Sequence, residues 1–100
     1  MASSPWTEVE FYAAVRAYLE MLSFEQAEEK YSKSDVNSYL REGALSGRSK
    51  GSVEFRMCNI SAVLDGLGKP YIVGYKPMRN VGSRGTKMIK DALIKLKALK

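Results

Sequence analysis

Apolar and polar positions alternate at helical spacing in four stretches of the chain. The first opens at Thr7, where Thr7-Glu8-Val9-Glu10 fits a capping box. The Thr7 hydroxyl accepts from the amide of Glu10, and the Glu10 carboxylate reaches back to the amide of Thr7. Trp6 and Phe11 take the two positions of a hydrophobic staple. Phe11, Val15, Leu19 and Leu22 then repeat on one face, flanked by Tyr12 and Tyr18. The pattern predicts a helix over 7–29 that runs to Leu22 and continues, bent, towards Lys30. Glu25, Glu28 and Glu29 fall on its solvated face.

Ser32 or Ser34 caps a second helix over 34–45, with Val36, Tyr39 and Leu40 turned inward. Ser46-Gly47-Arg48-Ser49-Lys50-Gly51 reads as a polar loop. Ser52 then caps a third helix over 52–67, whose stripe is Val53, Met57, Ile60, Val63, Leu64 and Leu67. Gly66 and Gly68 stop it, and Pro70 stands just beyond. Between 69 and 85, Lys69-Pro70, Lys76-Pro77 and the glycines Gly74, Gly82 and Gly85 argue against a helix, which leaves a long basic loop. Tyr71-Ile72-Val73 is at most a short strand there. The last helix, 86–99, starts near Thr86; Ile89, Ala92, Leu93, Leu96 and Leu99 face inward, and Lys87, Lys90, Lys95 and Lys97 stay wet. Four amphipathic stripes joined by short loops predict one all-α domain spanning 1–100.

Charge changes this picture. The net +5 divides into −4 over residues 1–43 and +9 over 44–100. A domain with one acidic and one basic half has a directed field, and its basic side attracts polyanions. A lysine-rich last helix is also explained by solubility alone. The bases in the loops, Arg48, Lys50, Lys69, Lys76, Arg79 and Arg84, are not.

Composition excludes more than it assigns. With no histidine and one cysteine, Cys58, the chain holds no Ser-His-Asp triad, no Cys-His pair, no Cys/His zinc site and no internal disulfide. Ser49, Ser52 and Ser61 have no base beside them in the pattern, and no carboxylates fall at metal-ligand spacing. Gly47-Arg48-Ser49-Lys50-Gly51-Ser52 lacks the preceding strand and the ending of a phosphate loop. We therefore expect no catalytic residues, no metal, no cofactor and no enzymatic activity. Cys58, beside the apolar stripe, reads as a small core residue. No run of about 18 apolar residues and no cleavable leader pattern is present, so the expected location is cytoplasmic, without a membrane partner.

The middle of the chain carries a resemblance. It lies in Arg48-Ser49-Lys50-Gly51-Ser52-Val53-Glu54-Phe55-Arg56, Asn59-Ile60-Ser61-Ala62-Val63-Leu64, Leu67-Gly68-Lys69-Pro70-Tyr71-Ile72 and Gly74-Tyr75-Lys76-Pro77-Met78-Arg79-Asn80. Together with Trp6-Thr7-Glu8-Val9 and Tyr31-Ser32-Lys33, these resemble a bacterial module near the N-terminus of HNH-type, modification-dependent restriction endonucleases and related defence proteins. Met57 and Cys58 depart from it, standing where relatives carry polar or basic residues. The resemblance implies DNA-related work. Without histidine the chain has no HNH site, so it is either a stand-alone module or a domain tied to a nuclease as partner or fusion.

On that reading the candidate nucleic-acid contacts lie on both sides of the third helix. Arg48, Ser49, Lys50 and Ser52 precede it; Lys69, Lys76, Arg79, Asn80 and Arg84 follow it. Gripping phosphates on either flank, as in helix-turn-helix readers, would offer Arg56 and Asn59 to base edges of duplex DNA. Asn59 is equally placed to bond a neighbouring helix or loop. Tyr71 and Tyr75 serve either as stacking platforms for unpaired bases or as half-buried lids. The alternative function is protein–protein interaction or self-association through the acidic first helix and its aromatics Trp6, Tyr12 and Tyr18. A basic, amphipathic last helix also fits a membrane surface, although it lacks the aromatics that anchor deep insertion.

Overall fold

The computed structural model describes residues 5–99 as four helices, with no strand among them. They are α1 (Glu8–Gln26), α2 (Lys33–Glu42), α3 (Lys50–Gly66) and α4 (Gly82–Lys95). The domain is all-α, as the stripes predict. α1 packs against each of the other three helices and α3 does the same, whereas α2 and α4 do not meet. α1 and α3 therefore form the middle of the body, with α2 at one edge and α4 at the other.

The local signals at the start of α1 hold. Thr7 Oγ1 accepts from the Glu10 amide at 3.2 Å, and Glu10 Oε1 accepts from the Thr7 amide at 2.9 Å. Trp6 and Phe11 close the staple with ring centroids 5.7 Å apart. The core gathers Phe11, Val15, Tyr18 and Met21 of α1, Leu40 and Leu45, Val53, Met57, Ile60 and Leu64 of α3, and Ile89 and Leu93 of α4.

α1 stops at Gln26, without the bend towards Lys30. Glu28, at φ 59°, reverses the chain, and the Glu29 amide returns to the Phe24 carbonyl at 2.8 Å. Ser32 caps α2 by accepting from the Asp35 amide. Tyr39, expected inside, is 75% exposed, and buried Asn37 takes the inner position. The Asn37 amide donates to the Lys50 carbonyl at 3.2 Å, which fixes α2 to the first turn of α3. That turn starts earlier than expected: Ser49, not Ser52, is the cap, its hydroxyl accepting from the Ser52 amide at 3.1 Å.

The segment 67–81 straps over the α1–α3 pair without forming the short strand at Tyr71-Ile72-Val73. Side chains take the place of a ladder partner. The Ile72 amide donates to Tyr18 Oη at 2.8 Å, and that hydroxyl shares a 2.6 Å hydrogen bond with Ser61 Oγ. The Val73 amide donates to Glu25 Oε2 at 3.1 Å, while Tyr31 Oη donates to Glu25 Oε1 at 2.6 Å. Ile72 itself is fully buried.

α4 begins four residues before Thr86, so the glycines expected to break a helix open one. Gly82, at φ 79°, makes the turn, and its carbonyl accepts from Thr86 Oγ1 at 2.8 Å. Gly85 is buried where a Cβ would lie 2.9 Å from Val81 Cγ1. At the other end α4 stops at Lys95 rather than 99, with Lys97 at φ 63°.

Candidate nucleic-acid interface

The capping box does more than start a helix. Holding Glu10 Oε1 to the Thr7 amide points the carboxylate at Arg48, whose Nε and Nη2 donate to Oε2 and Oε1 at 2.7 Å each. The Arg48 side chain is 7% exposed, and Nη2 also donates to the Pro5 carbonyl at 3.1 Å. The paired guanidinium holds the Glu10 carboxyl far below its usual range, at about 2, against the opposing effect of burial. The arginine of this loop, which solubility does not explain, thus has a structural use. Arg48 braces the start of α1.

A second guanidinium lies beside it. Arg56 Cζ sits 4.8 Å from the Trp6 ring centroid and 4.7 Å from that of Phe11, and Arg48 Cζ is 5.3 Å from Trp6. Arg56 Nη1 donates to Asn59 Oδ1 at 3.1 Å, but Nε, buried, finds no acceptor among the described residues. Burial first, then the positive charges of Arg48 and Arg84, pull the Arg56 pKa below the ordinary guanidinium value. It still stays protonated. Arg84 closes the group from α4, with Nη2 donating to the Trp6 carbonyl at 2.9 Å. Between the three arginines, with Ser52 on one wall and Val81 and Gly85 on another, lies a pocket of about 350 Å³.

The fold therefore brings together Arg48, Ser52, Arg56 and Arg84, with Ser49 and exposed Lys50 at the adjoining end of α3. Lys69, Lys76, Arg79 and Asn80 belong elsewhere, on the strap and at the far end of α3. Lys69, Lys76 and Asn80 are exposed, and Arg79 pairs with Asp65. Asn59 is 1% exposed, and its Nδ2 donates to the Met78 carbonyl at 2.9 Å. It holds the strap and reaches no base edge. Arg56 is likewise committed to Trp6 and Phe11. From Asn59 to Leu64 every residue of α3 is buried, so the second half of the helix has no free face to lay in a groove, while the first half exposes Glu54 and Phe55. The expectation that Arg56 and Asn59 reach base edges is corrected accordingly.

Tyr75 is 5% exposed and stacks on Tyr18 at 6.2 Å, its hydroxyl pushed up to about 12 by burial. It is core, not a platform for bases. The aromatic surface proposed for the first helix is lost too, because Trp6 and Tyr18 are buried and Tyr12 is half-buried. A different surface stands there, which the sequence did not announce. It is an open groove of about 940 Å³ between α1 and α2, with Ala13, Ala17 and Leu40 along it and Phe24 and Tyr39 exposed at its edge. Sequence reasoning also missed Glu10 as the counter-ion of Arg48 and Trp6 as the ring beneath two arginines. The capping box was the one signal that fixed where Glu10 points.

The charge halves partly fold onto each other. Glu10 pairs with Arg48 and Glu8 with Lys95 across the two halves, while Asp65 pairs with Arg79 and Asp91 with Lys87 inside the basic one. Among the described residues, Lys50, Arg56, Lys69, Lys76, Arg84, Lys90 and Lys97 have no carboxylate partner. Burial raises the Cys58 pKa, the reverse of an activated nucleophile. No cluster of ligating side chains that could hold a metal ion occurs among the described residues. No helix among them is long and apolar enough to cross a membrane.

These features define a small all-α domain with an arginine-walled pocket beside the start of its central helix. No family model, curated protein or solved structure matches the chain.

Proposed function

We propose that the protein is a DNA-binding accessory module of the bacterial cytoplasm, related to restriction and defence nucleases and without nuclease activity of its own. The observation that carries this reading is the meeting of Arg48, Arg56 and Arg84 around one pocket with a single carboxylate, Glu10, among them. The resemblance of residues 48–80 to the nuclease-associated module supports the same conclusion. Contact runs through phosphates rather than base edges: the end of α3 with Lys50, and Arg84 from α4, meet the backbone of duplex DNA. A nuclease, as partner or fused domain, supplies the cleavage.

Fluorescence anisotropy with duplex, single-stranded and cytosine-modified DNA at two salt concentrations tests it. With about two phosphates neutralised, by Lys50 and Arg84, the slope of log affinity against log salt is about −2 on duplex DNA. Lys50→Glu, at an exposed first-turn position where an acid suits the helix, shallows that slope by about one unit. No binding tighter than about 0.1 mM at low salt overturns the reading. Self-association through the α1–α2 groove in the absence of DNA binding would replace it with the protein-interaction alternative.

A further inference from the structure

The three arginines do not form a track. Arg48 and Arg56 lie against Trp6, Arg84 bonds the carbonyl of the same residue, and Val81 and Gly85 close the side towards α4. The pocket is a concave seat for a compact group. Its charge is set by three guanidiniums and the one carboxylate that pairs Arg48, which leaves two positive charges uncompensated among the described residues. Guanidinium forks match phosphate oxygens in geometry as well as charge. Ser52, in the first turn of α3, adds a hydroxyl at the positive end of a helix.

We propose that this pocket seats a dianionic phosphate monoester, the 5′-terminal phosphate of a nucleic-acid strand. An internal phosphodiester brings one negative charge, and a terminal phosphate brings close to two at neutral pH. Only the terminal group balances the seat. A concave pocket also suits the end of a strand better than a backbone that must enter and leave. The inference rests on the DNA-binding reading and narrows it from backbone contact to recognition of an end. The same chemistry is offered by a free nucleotide, so the test separates the two sources.

The experiment compares one duplex sequence carrying a 5′-phosphate with the same duplex ending in a 5′-hydroxyl, alongside a nucleoside 5′-monophosphate. The 5′-phosphate is expected to bind about tenfold more tightly than the 5′-hydroxyl end, the low end of what one charge-assisted hydrogen bond is worth. Arg84→Gln erases the difference. Ser52→Glu erases it as well, by placing a carboxylate in the seat, and it completes a capping box with Ser49, so the fold is retained. Lys50→Glu lowers the affinity of both duplexes alike. Between pH 8 and pH 5 the advantage fades as the phosphate takes up its second proton, with a pKa of about 6. Glu10, held near 2, and the arginines keep their charge throughout that range. Equal affinity for the two ends overturns the inference and leaves the DNA-binding reading standing. If neither duplex binds while the nucleotide raises the melting temperature of the native chain and not of Ser52→Glu, the DNA-binding reading fails and the phosphate seat stands. No response to any of the three ligands overturns both.

Discussion

Replacing Glu10 by Gln tests the brace between the start of α1 and the loop before α3. The carboxylate accepts from Arg48 Nε and Nη2 at 2.7 Å and from the Thr7 amide at 2.9 Å, in a side chain only 14% exposed. Its pKa falls from the ordinary 4.5 to about 2, chiefly through the Arg48 hydrogen bonds. A fall of that size corresponds to about 3 kcal/mol favouring the ionised folded form. Because the folded-state pKa is the lower one, this stability is fully present above about pH 5 and is lost as pH falls towards 2. Urea denaturation of the native chain and of Glu10→Gln, repeated between pH 7 and pH 2, measures it. The two should differ by about 3 kcal/mol at pH 7, worth roughly 4–8 °C of melting temperature per kcal/mol in a domain this small. The gap should close progressively below pH 5. High salt should change it little, since the Arg48 side chain is 7% exposed and screening reaches buried pairs weakly. A gap that stays constant to pH 2 refutes the reasoning: the stabilisation would then come from packing and the helix cap, not from the ionised carboxylate.

Four further substitutions address the strap and the helix ends. Tyr18→Phe removes the hydroxyl that accepts the Ile72 amide and bonds Ser61, leaving a buried N–H without a partner. It should cost about 1–3 kcal/mol in urea denaturation and speed hydrogen exchange in the strap, and unchanged stability would contradict the anchoring role. Glu28→Gly and Lys97→Gly relieve left-handed backbone at φ 59° and 63° where the chain leaves α1 and α4. Each should raise stability by up to about 1 kcal/mol in thermal melts, whereas Gly68→Ala, at φ 70° after α3, should lower it by a similar amount.

What was legible in the sequence was local. The capping box and staple at Thr7 need only residues 6–11, and both formed as read. The stop after α3 is carried by Gly68 and needs only its own turn. Cap choice at α3 was harder, because Ser49 and Ser52 are both residues that cap helices, and Ser49 takes the role by accepting from the Ser52 amide. Gly82 and Gly85 misled for a related reason. Glycine weakens a helix by only about 1 kcal/mol, and here one glycine makes the turn while the other lets Val81 and Arg56 approach. Rejecting Arg48 as a free loop charge, or Asn59 as a base reader, required knowing that Glu10 and Met78 lie beside them. Those partners stand 38 and 19 residues away in the chain. No window of helical periodicity contains such information.

The energetics of the arginine group bear on its purpose. A buried ion pair is weak evidence for stability, since apolar side chains of similar volume often serve a core as well or better. Glu10–Arg48 fits a structural account, because both partners are satisfied and the cap depends on one of them. Arg56 does not. Its guanidinium lies on Trp6 and Phe11, where a methionine or leucine would pack without leaving a buried Nε unpaired. Burial, and then two like charges near it, lower its pKa. Within the fold, the hydrogen bond to Asn59 and a cation–π contact of about 1–2 kcal/mol offset part of that desolvation and repulsion. A bound dianion reverses the sign of the local electrostatics, turning mutual repulsion among Arg48, Arg56 and Arg84 into shared attraction. Under the proposed phosphate seat, the cluster is a cost carried by the free protein and offset on binding.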